Sequence, residues 1–248
     1  MKIAVIGAQC TGKSTYIEDF ISNWPSYSKC SISKYSDQVK EKGLTLNESG
    51  TEASQKQILS SLADQVIYTS KENNTIFDRS VLDNLVYTMW LNANSRVSDD
   101  FVRETIKVVK ETLVFYDILF FLPITKQSPV PFEPGSNRSE SAEYRIEIDN
   151  IFKALIHQYN TGDKTYFPLN HDLGCPGIVE IYGGRQQRIE LTKLYINPSG
   201  DQYTDEDTLL NLTPEELEAK QYLEDISSNK NIQPSNTDII IPSFKKKK

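Results

Sequence analysis

"KIAVIGAQCTGKST", residues 2–15, joins a β-rich apolar run to a turn that matches G-x-x-x-x-G-K-[ST] at Gly7, Gly12, Lys13 and Ser14. The run Lys2 to Ile6 reads as a buried strand, and helical spacing begins at Gly12 and continues through Tyr16, Ile17, Phe20 and Ile21. Trp24-Pro25 ends that helix. Between a strand and a helix, such a turn directs successive backbone N–H groups inward and adds the partial positive charge of the helix N-terminus. Gly7 and Gly12 let the main chain approach phosphate closely, Lys13 bridges the β- and γ-phosphates, and the Ser14 hydroxyl ligates Mg²⁺. The expected nucleotide cradle is therefore Gly7, Gln9, Cys10, Thr11, Gly12, Lys13, Ser14 and Thr15, with ATP and Mg²⁺ as its cofactors. Cys10 reads either as a tolerated small side chain or as a redox-sensitive brake on binding.

Outward from the turn, strand and helix patterns alternate. Helical stripes are expected over residues 52–70, 81–93, 99–114 and 142–159, and strands at 2–6, near 30–35, at 75–80, 116–124 and 165–169. The run "YDILFFLPI" (116–124) is the most apolar and reads as a strand buried on both faces. This alternation predicts an α/β fold of three layers, with a central, mostly parallel sheet of about five strands. Residues 1–198 are expected to form that domain. Residues 199–248 read as an acidic appendage with one helix capped at Thr213 and a mobile, lysine-rich end.

Composition narrows the function classes. A net charge of −7 on 248 residues argues against broad electrostatic capture of nucleic acid. No apolar stretch approaches the ~18 residues that span a bilayer, and Met1-Lys2-Ile3 does not start a secretory signal. A cytoplasmic location is expected, in the host cytoplasm if the chain is viral. Three scattered cysteines make neither a disulfide framework nor a zinc site.

The stretch "TIFDRSVLDN" (75–84) separates a phosphotransferase from a hydrolytic motor. Asp78 falls at the carboxyl end of a strand, where open α/β sheets bind ligands. There it can accept a proton from a bound hydroxyl or steady magnesium through water. Arg79 can hold a phosphate or carboxylate in a planar fork. Motor ATPases usually end an apolar run in adjacent acids, and this sequence has no such run. A proline-rich loop (125–141) carries Arg138, and Arg145 follows in the next helix; both suit a lid over a transferring phosphoryl group. Tyr35, Phe77, Tyr87, Trp90 and Phe132 are either core aromatics or the walls of an acceptor site for a flat base.

With those residues in view, the sequence resembles P-loop kinases acting on small molecules, above all the nicotinamide-riboside-kinase-like ATPase/kinase domains common in bacteria and phages. The resemblance covers about residues 1 to 197 and rests on "GAQCTGKST", "KGLTLNESGTEASQKQILSSL" (42–62), "FDRSVLDNLVYT" (77–88), "YDILFFLPI" and "NRSESAEYRIEIDNIFKALI" (137–156). "FDRSVLDN" is also similar to the acid-Arg-Ser segment of deoxynucleoside kinases and the Asp-Arg pair of thymidylate kinases. The likeness implies that Lys13, Asp78, Arg79 and Arg138 are catalytic, that Ser14 and Asp78 serve the metal, and that Arg188 in "GGRQQRIELTKLY" (183–195) lies over the adenine. Such domains often carry an arginine or glutamate after the second strand; here the stretch reads "KYSDQVKEK", and Asp37 is the substitute. The expected reaction is ATP- and Mg²⁺-dependent phosphoryl transfer to a nucleoside, nucleotide or related small molecule. The alternatives are a modified base in DNA as acceptor, or a slowly hydrolysing regulatory switch.

Overall fold

The computed structural model describes residues 1–31, 41–126, 141–161 and 174–203. Five strands form one sheet: β1 (Lys2–Ile6), β2 (Ser28–Lys29), β3 (Thr75–Asp78), β4 (Ile118–Phe121) and β5 (Gly177–Glu180). Their order is β2-β3-β1-β4-β5, and every pairing is parallel. Among the described residues six α-helices accompany them: α1 (Lys13–Asn23), α2 (Glu52–Tyr68), α3 (Val81–Ala93), α4 (Asp99–Thr112), α5 (Ala142–Asn160) and α6 (Arg185–Thr192).

β1 lies at the centre because both of its faces are apolar, and all five of its residues are buried. Alternate side chains supply two cores. Ala4 and Ile6, with Phe77, Leu119 and Phe121, pack against α2, α3 and α5. Ile3 and Val5, with Ile76, Ile118 and Phe120, pack against α1 and α6 through Tyr16, Ile17, Phe20 and Ile189. Sheet and helices thus make the three expected layers. Among the described residues no helix is long and apolar enough to cross a membrane.

Two of the expected strands fall wholly or largely outside the described residues. The described second strand is the two-residue Ser28–Lys29, and Cys30 N–H beyond it still donates to Ile76 O (3.0 Å); residues 32–35 of the expected stretch lie outside the described residues. The described fifth strand is Gly177–Glu180, beside β4. The stretch 165–169 lies outside the described residues, as do Tyr35, Asp37, Phe132, Arg138 and residues 204–248.

The central position of β1 matters for chemistry. Its carboxyl end meets β3 on one side and β4 on the other, so the turn that follows it opens into the crevice where the strand order reverses.

Candidate active site

Gly7 leaves β1 with φ +139°, a backbone region that side chains rarely adopt, and a Cβ there would stand 2.8 Å from the Leu122 carbonyl oxygen. Only glycine lets the turn pass so close to the end of β4. Gly12 then adopts the left-handed conformation (φ 83°) at the N-cap of α1, where no side chain caps the helix. The leading N–H groups of α1 are left to face an incoming anion. Lys13 is buried and donates from Nζ to the carbonyls of Gly7 (2.8 Å) and Ala8 (2.6 Å). Its ammonium is thereby held across the turn. Ser14 is exposed beside it.

Three elements brace this turn from outside. From α5, Arg145 donates to Gln9 O (3.2 Å) and Cys10 O (3.4 Å). From α6, the buried Arg188 donates to Thr11 O (2.8 Å) and to Gly183 O (3.0 Å). Burial lowers the pKa of Arg188, yet both carbonyls still receive its hydrogen bonds. From α3, Asp83 accepts from Gly7 N–H (3.4 Å). Gln9 is buried, and its Oε1 accepts from Tyr87 Oη at 2.7 Å; its Nε2 has no partner among the described residues.

β3 delivers the acid and the arginine. Val5 and Asp78 are register partners, which sets Asp78 two residues short of the turn on the neighbouring strand. It shares the α1 face of the sheet with Ile76, and its Oδ2 lies 3.5 Å from Lys29 Nζ. Arg79 follows with φ +85°, uncommon for a residue that carries a side chain. Its N–H donates to Val5 O (3.0 Å), so the last sheet bond holds the unusual backbone. The guanidinium turns to the opposite face, 3.7 Å from Asp83 Oδ1 and 5.1 Å above the Tyr87 ring.

Asp83 joins these parts. It is buried, its Oδ2 accepts from Ser80 N–H (2.8 Å) to close the capping box of α3, and its Oδ1 faces Gly7 and Arg79. Burial raises its pKa, opposed by the charges of Arg79 and Lys13.

Beside this carboxylate lies an open pocket with about 380 Å³ of empty space, its mouth included. Its apolar wall is Leu46, Ile58 and Leu62; Asn47, Gln55 and Asn84 give amide heads, and Arg79, Asp83 and Tyr87 form the floor towards the turn. Asn84 Nδ2 donates to Gln55 Oε1 (2.9 Å) and Gln55 O (3.0 Å), fixing the amides against each other. The structure therefore brings together the phosphate turn, Arg79 and Arg145, with Asp78 at the neighbouring strand end. Of the expected aromatics, Tyr87 lines the pocket, Phe77 is core, and Trp90 packs on Tyr144.

Sequence reasoning passed over Asp83, Gln55 and Asn84. The available signal was Arg79, Asp83 and Tyr87 at successive steps of four, one face of the coming helix.

Several solved structures share this fold. Deoxyadenosine kinase of M. mycoides matches with a TM-score of 0.53 at 18% identity, over 77% of this chain and 96% of its own. NadR, solved in complex with NR, matches with a TM-score of 0.53 at 14% identity, over 82% of this chain and 53% of its own. Thymidylate kinase of Candida albicans matches with a TM-score of 0.51 at 15% identity, over 82% of this chain and 97% of its own. At such identities the likeness establishes the α/β fold of P-loop kinases. No curated protein has a sequence that matches this chain. The family model described as "AAA domain" matches residues 2–162, a span that holds the phosphate turn, the Asp78-Arg79 corner and Arg145, and by that match the chain belongs to the AAA domain family.

Proposed function

We propose that the protein transfers the terminal phosphoryl group of ATP, with Mg²⁺, to a nucleoside or nucleotide seated in the pocket beside Asp83. One observation carries the reading: that pocket is wired to the phosphate turn by two contacts, Gly7 N–H to Asp83 and Tyr87 Oη to Gln9. A motor has no need of an acceptor chamber bonded to its nucleotide loop. Deoxyadenosine kinase, NadR and thymidylate kinase, whose fold the chain shares, support the same class.

In this reading the phosphates replace the Gly7 and Ala8 carbonyls as partners of Lys13 Nζ. The uncapped first turn of α1 holds the phosphate oxygens. Ser14 and Asp78 would hold Mg²⁺, which neutralises the charge that builds on the transferring group. Among the described residues no three His, Cys, Asp or Glu side chains gather as a metal cage, which suits an ion held mainly by phosphate and water. Asp78 lies outside the described lining of the pocket, so it would reach the acceptor hydroxyl through one ordered water that relays the proton. Arg145 supplies positive charge beside the turn, joined by Arg138 of the proline-rich stretch, while Arg79, paired with Asp83, holds the acceptor from the pocket floor. Residues 1–198 act as the catalytic domain, and residues 199–248 as an appendage to it.

The test is a screen of nucleosides and nucleotides with ATP and Mg²⁺, using the intact chain and Lys13→Ala. ATP consumption that starts only with a particular hydroxyl compound, and vanishes in Lys13→Ala, is the expected result. Slow hydrolysis indifferent to every compound would replace this reading with a regulatory switch.

A further inference from the structure

The described lining of the acceptor pocket is electrically balanced. Among its described lining residues Arg79 is the one cation and Asp83 the one anion, and they face each other at 3.7 Å. The Arg79 side chain is 17% exposed and that of Asp83 1%, so little water screens the pair. Arg79 is engaged a second time by the face of Tyr87, 5.1 Å below it. Burial works against the ionised form of Asp83, and the facing Arg79 and Lys13 charges with the N–H groups of Ser80 and Gly7 oppose that effect. The remaining lining is amide and hydrocarbon.

A phosphate monoester brings a charge of about −1.5 to −2 at neutral pH and calls for cations with charge to spare. Here the nearest guanidinium is already matched by a buried carboxylate, and a phosphate placed against it would also meet that carboxylate. Hydroxyls and heterocyclic edges, by contrast, need the paired donors and acceptors that Asn47, Gln55 and Asn84 offer. We propose that the pocket selects an uncharged acceptor, a nucleoside rather than a nucleoside monophosphate, and that Asp83 determines this choice by taking up the charge of Arg79. The proposal rests on the kinase reading above. It goes further by naming which of the two acceptor classes enters and which residue excludes the other.

The experiment compares the common ribo- and deoxyribonucleosides with their 5′-monophosphates, at equal concentration, with ATP and Mg²⁺ and the full chain. Transfer is followed by product mass, and binding by calorimetry. The intact protein is expected to take a nucleoside at least about tenfold better than its monophosphate. Asp83→Asn, which unmasks Arg79, should narrow that ratio by about tenfold to a hundredfold, the scale of one charge-assisted hydrogen bond to phosphate. The double change Arg79→Gln with Asp83→Asn is again neutral. It should restore the binding preference, and it decides the matter if the single variant does not fold. Preference of the intact protein for monophosphates overturns the proposal and leaves the kinase reading standing. An unchanged ratio in Asp83→Asn, or a narrowed ratio in the double variant, overturns the role of Asp83. Transfer to neither class removes the kinase reading and this proposal with it.

Discussion

Replacing Gly7 by alanine separates two physical effects that the phosphate turn combines. The new Cβ would lie 2.8 Å from Leu122 O, where real Cβ atoms essentially never come, and the residue would keep φ +139°. Neither neighbour yields easily. Leu122 N–H donates to Ile6 O at 3.0 Å, so moving the carbonyl away means parting β1 from β4 at the edge of the site. Backbone strain alone costs about 1–3 kcal/mol, and relieving the clash brings the expected loss to about 3–4 kcal/mol. Gly43→Ala is the control, since Gly43 has φ +63° with nothing within 4 Å of the added atom. It bears only the left-handed term, about 1–2 kcal/mol. Urea unfolding of the three proteins gives the stability difference, and calorimetric titration with ATP gives the second readout. Gly7→Ala should lose at least tenfold in ATP affinity, whereas Gly43→Ala should keep it. Equal midpoints for the two variants, or undiminished ATP affinity in Gly7→Ala, would refute the account of the turn.

Other outcomes follow from the same geometry. Asp78→Asn should bind ATP within a few-fold of the intact protein while turnover falls about 10²-fold or more, measured at saturating acceptor; full turnover would reduce Asp78 to the partner of Lys29. Tyr87→Phe takes the donor from Gln9 Oε1 in a buried setting where Gln9 Nε2 already lacks a partner among the described residues. It should cost about 1–3 kcal/mol in urea unfolding, and a loss below ~0.5 kcal/mol would mean that the contact contributes nothing. The raised pKa of Asp83 sets a pH dependence, with Arg79 and Lys13 as the charges facing it. Its contribution is fully present below the ordinary carboxyl range and is lost as pH rises through the higher folded value. The stability of the intact protein relative to Asp83→Asn should therefore fall between acid and neutral pH; a difference that grows with pH would contradict the assignment.

Much of this architecture was legible in the residues because local chemistry and global position agree. The turn at Gly7 to Ser14 can work only between a strand and a helix, and the apolar stripes of α2, α3 and α5 leave little choice of face. The edges were less legible. β2 has two residues, too few to show alternation, and β5 carries half-exposed Ile178 and Val179 after Gly177, a weak pattern on its own. The site was legible where a residue type announces its chemistry, as with Lys13 and the Asp78-Arg79 pair. Asp83 was not, because an acid in the first turn of a helix reads as an ordinary cap. Its second duty exists only once β1 and β3 lie side by side and Gly7 N–H arrives from 76 positions away. The hold of Arg188 on the Thr11 and Gly183 carbonyls was equally hidden, because it too exists only once α6 lies against the turn.

The hold of α6 on the first helix bears on synthesis. Besides Arg188 on Thr11, Thr192 meets the hydroxyl of Tyr16 at 2.7 Å, Asn197 O accepts from the Trp24 indole, and Gly200 O accepts from Tyr27. The phosphate turn leaves the ribosome near the start of translation, yet the last of the groups that steady it arrives almost 180 residues later. A nascent chain halted before α6 therefore carries the complete motif without the clasp that shapes it. Ribosome-bound intermediates should bind ATP weakly until this closing segment has cleared the exit tunnel.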